Sequence, residues 1–147
     1  MYSIESFKLK YQADERSPKK PLTNPHAVVS AINGIIDTLD GGQSIEHFGA
    51  YFLNIQNESI GFKIFNSGTI DQVAVYPRMI IHSALMIGAS GVILIHNHPS
   101  GHIEPSEEDK RLTRTIKEAG QLFDIRVVDH LIIGNGKYYS MIERGLL

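Results

Sequence analysis

The apolar positions of this chain recur in two periods. After Thr23-Asn24-Pro25, a capping oxygen followed by proline at a first helical position, Val28, Ile32, Ile35 or Ile36, and Leu39 fall at helical spacing. Asp40-Gly41-Gly42 closes that helix. Residues 46–55 are apolar on both faces and predict a buried strand, turned at 56–58, with 59–65 as its hairpin partner. Ser67-Gly68-Thr69 marks a bend, and residues 71–75 predict a short strand. Pro77 opens a second helix through Ile80, Leu85 and Ile87, punctuated by Gly88 and Gly91. Residues 91–96 form a central strand, and 98–105 an irregular loop with two prolines and a glycine. Residues 106–123 predict an amphipathic helix with Leu112, Ile116, Ala119 and Phe123 on one face. A buried strand at 125–133, a tight turn at Gly134-Asn135-Gly136 and a returning strand at 137–142 complete the pattern. Ahead of all this, residues 2–11 alternate loosely as a strand, and 12–22 read as a polar loop with Pro18 and Pro21. There is no repeat or linker, so 21–147 is expected to be one α/β domain of mixed topology with 1–20 as an extension.

Composition sharpens this. A chain of 147 residues with 42% hydrophobic content builds a core without metal or disulfide staples. The absence of cysteine excludes disulfides, Cys-rich zinc ribbons and thiol catalysis, and fits a reducing compartment. A net charge of -2 offers no basic field for non-specific nucleic-acid binding, and the basic cluster at 16–20 sits in a solvated, proline-containing segment. No apolar signal core or bilayer-length run is present, so a cytoplasmic protein without a membrane partner is expected. Asn57-Glu58-Ser59 matches a glycosylation sequon but reads most simply as a turn.

The chemistry concentrates in one ordered set, H-x-H-x7-S-x2-D: His96 and His98 end an apolar strand, and Ser106 and Asp109 open the following helix. In extended backbone, residues two apart point the same way, so both imidazoles reach one site if strand geometry persists to His98. A catalytic zinc takes three nitrogen or carboxylate ligands and keeps one position open. Asp109 is the natural third ligand, because it lies on the apolar face of its helix, where an unpaired charge is costly. Ser106 and Asp109 also fit a helix capping box, which taken alone is the better explanation of those two residues. Capping does not explain two histidines ending an apolar strand just upstream. Hydrolysis further needs a base, and Glu46, at the start of an otherwise apolar strand, is the best candidate. Solvent exposure at the sheet's end is the equal alternative. Glu5, Glu58, Glu104 and Glu143 read as surface.

These residues resemble the RadC family, a bacterial branch of the JAMM (JAB/MPN) metalloprotease superfamily. The core of the resemblance is His96-Asn97-His98-Pro99-Ser100-Gly101 and Pro105-Ser106-Glu107-Glu108-Asp109. Supporting matches are Glu46-His47-Phe48, Ser67-Gly68-Thr69, Pro77-Arg78, Asp129-His130 and Gly136-Lys137-Tyr138-Tyr139-Ser140, so it covers about 21–147. It implies an α/β fold with a curved mixed β-sheet flanked by helices, similar to the cytidine deaminase class. It implies one Zn2+ on His96, His98 and Asp109 with a water as fourth ligand. It also implies Glu46 as the acid/base and Ser106 as hydrogen-bond donor to the oxyanion. The expected activity is hydrolysis of a peptide or isopeptide bond, with a peptide or protein tail as substrate.

The alternative is a RadC-type DNA-repair or mobile-element accessory protein without peptidase activity. Residues 1–20 do not resemble the helix-hairpin-helix segment of full-length RadC proteins, which weakens a DNA partner. Two histidines and a carboxylate also suit non-haem iron, but the Ser and the distant Glu favour hydrolysis. The string His-Asn-His does not make an HNH nuclease, whose defining residues are dispersed. Asp129-His130 is either a partner pair for a metal-bound histidine or a buried structural pair. Arg78 is a substrate contact or a surface ion pair, with the latter preferred; His102 is expected in solvent, and His47 should point opposite to Glu46.

Overall fold

The computed structural model describes residues 22, 24–68 and 75–147. The strand expected at 2–11, the basic cluster at 16–20, the domain boundary at 20/21, Thr23, Thr69 and all but the last residue of the strand expected at 71–75 lie outside the described residues.

The first helix, α1 (Pro25–Ile36), starts as its sequence dictates. The Asn24 side chain accepts a hydrogen bond from His26 N at 2.9 Å, and Pro25 occupies a position where no N–H is needed. Val28, Val29, Ile32, Ile35 and Ile36 form its buried face. The helix stops short of Leu39, because Thr38 N and Leu39 N donate to Ile35 O and Ile36 O in tighter turns. Gly41, at φ +79°, then turns the chain through a region open to glycine at little cost.

Five strands follow in the order β2-β1-β3-β4-β5: β1 (Glu46–Leu53), β2 (Ser59–Gly68), β3 (Gly91–Asn97), β4 (Arg126–Gly134) and β5 (Lys137–Ser140). Helix α2 (Pro77–Met86) links β2 to β3, and α3 (Glu107–Gln121) links β3 to β4. Only β3 and β4 run parallel; the other neighbours are antiparallel. The crossover through α3 is what a parallel pair requires. The expected mixed α/β architecture is therefore the one observed.

Several strand boundaries differ from expectation; the returning strand, expected to reach 142, ends at Ser140, where the chain turns. Strand β1 ends before residue 55, because the Asn54 side chain accepts from Gln56 N and Glu58 N and closes the turn early. That turn contains the sequon residue Asn57, at φ +60°. Strand β2 runs on past residue 65. The bend expected at Ser67-Gly68 is instead strand paired with His47 and Glu46, with a register shift opposite Phe48/Gly49.

Alternation along the strands divides the core in two. Tyr51, Leu53, Ile93, Ile95, Leu131 and Ile133 face α1. Phe48, Ala50, Phe52, Val92 and Leu94 face the other way, against Ile80, Ile81 and Ala84 of α2 and Ile116 of α3. Each fully buried Ile or Leu contributes roughly 1.5–3 kcal/mol of transfer free energy. Leu85 and Phe123, expected on buried helix faces, are 48% and 51% exposed. Phe123 lies beyond the end of α3, where the chain drops straight into β4. A Cβ on Gly120 would stand 2.4 Å from Ile125 O, so helix and strand meet through glycine there. Among the described residues no helix is long and apolar enough to cross a membrane.

Candidate metal centre

The site forms where β1 begins and β3 ends. In the antiparallel β1/β3 register Phe48 pairs with His96, and β1's alternation puts Glu46 and Phe48 on the α2/α3 face with His96. Strand pairing persists past β3's last residue: His98 N donates to Ile133 O at 2.7 Å. His98 therefore follows His96 on the same side, as the two-residue spacing predicts.

The two imidazoles meet with Nε2 atoms 2.5 Å apart, and Glu46 Oε1 lies 3.6 Å from His96 Nε2. One ligand atom each from Glu46, His96 and His98 falls within 4.8 Å of the others, the one such group among the described residues, and Asp109 is not part of it. His98 Nδ1 carries the proton, since it donates to the carbonyl of His102 at 2.5 Å. Its Nε2 is then bare and aimed at His96. A carboxylate beside two converging imidazole nitrogens is a donor set that zinc accepts, so the residues present fit the metal.

Asp109 approaches from α3, on the other edge of the His96 ring, with Oδ1 3.7 Å from His96 Nδ1. Its Oδ2 accepts from Ser106 N at 2.8 Å and from Ser106 Oγ at 2.6 Å, while Ser106 Oγ accepts from Asp109 N at 3.1 Å. The capping box that competes with the catalytic role in the sequence is thus fully formed. Asp109 Oδ1 is not used in the cap. All five candidates, Glu46, His96, His98, Ser106 and Asp109, line one cleft of about 650 Å³. His98 also borders a second cleft of about 640 Å³ reaching Asn33, Asp37 and Gln43.

Burial sets the protonation states. It pushes the His96 imidazole down to about 4, with Asp109 opposing and His98 assisting. It pushes His130 down to about 3. Both rings are neutral at neutral pH, the form that ligates metals. Burial raises the Glu46 carboxyl above its ordinary value, tempered by His98 and reinforced by Asp109. Burial acts the same way on Asp109, but His96 and the Ser106 hydrogen bonds outweigh it and leave the group below its ordinary value.

Several neighbours are placed differently from expectation. Asp129 and His130 separate. His130 turns to the site, with Nε2 3.4 Å from His96 Nδ1. Asp129 points away and accepts from His130 N, Ile142 N and Ser140 Oγ, which makes it the structural member. His47 does point opposite to Glu46: buried, it bonds Ser67 Oγ and donates to Gly42 O. Arg78 lies outside the cleft, its guanidinium 5.3 Å from the Tyr76 ring centroid. The His102 ring is in solvent, as expected, but its carbonyl orients His98.

Asn97 was only the spacer of the His-x-His motif, yet it holds the base candidate in place. It alternates to the far side of β3, accepts from His47 N at 2.8 Å and donates to Ile45 O at 2.9 Å. These bonds clamp the backbone on both sides of Glu46. Asn97 is 1% exposed, so Asn97→Ala strands the buried His47 N–H and the part-buried Ile45 C=O. A stability loss of about 2–4 kcal/mol is expected in urea unfolding; a change below about 0.5 kcal/mol would show the clamp to be unimportant. The sequence signal was an amide at the end of an apolar strand, a position that demands a partner.

The sequence of residues 22–146 matches the family model described as the RadC-like JAB domain. A UPF0758 protein of Pseudomonas entomophila (strain L48) is 46% identical over 105 residues, which are 71% of this chain and 46% of that protein. A UPF0758 protein of Rubrobacter xylanophilus is 41% identical over 133 residues, 90% of this chain and 56% of that protein. One from Cellvibrio japonicus is 49% identical over 102 residues, 69% and 46% of the two chains. The chain spans about half the length of the curated relatives it matches.

Proposed function

The chain belongs to the RadC family and carries its JAB domain, and on that premise we propose that it is a zinc-dependent hydrolase of peptide or isopeptide bonds. The observation that carries this reading is the convergence of the His96 and His98 Nε2 atoms beside the Glu46 carboxylate.

His96 and His98 would hold the metal through Nε2. Asp109 would supply the third ligand by swinging Oδ1 from the Nδ1 edge of His96, where it now lies 3.7 Å from that nitrogen, to the Nε2 side; the helix cap uses only Oδ2 and would survive the move. The chemistry a bound zinc supplies is polarisation of the scissile carbonyl and acidification of the attacking water. Glu46 would take the water's proton and pass it to the leaving amine; its raised pKa suits a group that must both accept and donate near neutral pH. Ser106 gives its hydroxyl proton to Asp109 Oδ2 in the cap. Its proposed role at the oxyanion requires exchanging that bond for one to substrate. The substrate would be an extended peptide or protein tail, for which the clefts on either side of His98 leave room.

The test is the metal itself. Protein purified, loaded with zinc and passed through gel filtration should carry one zinc per chain by elemental mass spectrometry. Zinc absent after loading would rule out the mechanism.

A further inference from the structure

One buried hydrogen-bond chain runs behind the site and can be read from its fixed end. The carbonyl of Asp109 can only accept, so the Thr113 hydroxyl, 2.6 Å away, donates to it. Thr113 Oγ1 has then spent its proton and must accept from His130 Nδ1, also at 2.6 Å. The neutral His130 ring has a single N–H, so its Nε2 carries a lone pair. That lone pair faces His96 Nδ1 at 3.4 Å. The other group near His96 Nδ1 is Asp109 Oδ1 at 3.7 Å, likewise an acceptor. Both neighbours of Nδ1 thus favour a proton there; on the other edge His98 Nε2 and Glu46 Oε1 compete for it in the metal-free protein, and a cation on Nε2 would settle the competition in favour of Nδ1. Phe48 encloses both rings, with centroids 5.9 Å from His96 and 5.7 Å from His130. Thr113 and His130 are 2% and 0% exposed, so water does not substitute for either.

We propose that Thr113 and His130 are positioning residues that fix the tautomer of His96, presenting its Nε2 lone pair to the metal. The chain continues from the Thr113 hydroxyl to the backbone of Asp109, so it also ties the helix that brings the third candidate ligand to the strand that brings the first. The inference rests on the metal-site reading: the Thr113 pairing sets the His130 tautomer in the protein alone, and His96 takes the complementary one when a cation occupies its Nε2 side. An isolated imidazole prefers its proton on Nε2. Without the Thr113 acceptor, His130 can return to that form and aim its proton at His96 Nδ1. His96 would then have to carry its own proton on Nε2, blocking the metal-facing nitrogen.

The experiment reads both ends of the chain. Long-range 1H–15N spectra of the metal-free wild type should show His130 neutral and protonated on Nδ1 at pH 7. Thr113→Val should move that proton to Nε2 and weaken zinc binding by about 10–100-fold in competition with a fluorescent chelator; Thr113→Ser should restore both. A second pair of variants does not depend on Thr113→Val folding. His130→Asn keeps a donor near Thr113 but has no atom at the Nε2 position, and should lose affinity to the same extent. His130→Gln can place its amide oxygen there and should retain affinity. A purely structural role would lower stability in these variants without moving the proton or separating Asn from Gln. His130 protonated on Nε2 in the wild type overturns the proposal, as does zinc affinity unchanged in both Thr113→Val and His130→Asn. Zinc failing to bind the wild type would instead defeat the hydrolase reading, while the metal-free spectra would still decide whether Thr113 sets His130.

Discussion

His96→Ala is expected to fold and to lose zinc, with affinity falling by more than the roughly 100-fold upper range seen for removing a ligand's hydrogen-bond partner. The ring is 2% exposed, yet it sits at the rim of the α2/α3 core, where the loss leaves the cleft larger and the Glu46 carboxylate without its nearest imidazole. Glu46→Gln separates the two jobs a carboxylate there can do. If Glu46 is the acid/base, the amide keeps the shape of the site, zinc stays bound, and cleavage of a fluorescence-quenched peptide library falls by about 10²–10⁴-fold. If Glu46 is itself a ligand, as its membership of the tight Glu46/His96/His98 group would allow, Glu46→Gln loses zinc. Elemental mass spectrometry on the two variants distinguishes these outcomes. Loss of zinc in Glu46→Gln would remove Asp109 from its proposed place as third ligand.

Asp129→Ala should cause the largest loss of stability, about 3 kcal/mol or more, a large share of the 5–15 kcal/mol typical of a domain. One carboxylate accepts His130 N at 2.7 Å, Ile142 N at 3.1 Å and Ser140 Oγ at 2.6 Å, joining β4 to β5 and to the turn after it. Alanine strands the buried His130 N–H and Ser140 hydroxyl and the part-buried Ile142 N–H. Asp129→Asn keeps an acceptor for both backbone N–H groups, and the Ser140 hydroxyl can turn to accept from the amide, so its cost should stay within about 1 kcal/mol at pH 7. The pH dependence has a definite sign. Burial raises the Asp129 carboxyl above 3.8 despite its hydrogen bonds, so the folded state holds this proton more tightly than the unfolded chain. Its contribution is most favourable below the ordinary pKa and is lost as pH rises through the raised folded value. Urea midpoints measured across that acidic window should fall with pH for the wild type relative to Asp129→Asn. Parallel curves for the two proteins would contradict the shift.

Much of this molecule was legible without coordinates, and the reason is local. The run 91–97 is too apolar to be anything but a central strand, so His96 had to end up at a sheet's end. Pro25 and Pro77 could only open helices, and Ser106 with Asp109 could only begin one. Two-residue alternation placed His96 with His98, and Glu46 opposite His47, before any distance was known. Boundaries drifted where side chains competed with the backbone, as Asn54 does at the end of β1.

What the sequence could not contain is the partner of each polar group. Asn97 sits fifty positions from His47, and His130 lies thirty-four from His96; no period or spacing joins them. The antiparallel β1/β3 pairing and the α3 crossover bring them together, and only then do their hydrogen bonds have directions. So the sequence by itself determined which residues could carry metal chemistry and on which elements they stand, because periodicity and capping are properties of neighbours. Tertiary structure alone decided that Asn97 clamps Glu46, that His130 rather than Asp129 backs His96, and that Asp109 shares its carboxylate between a helix cap and the site. Those outcomes depend on satisfying buried donors and acceptors across the sheet, where each unpaired group costs about 1–3 kcal/mol.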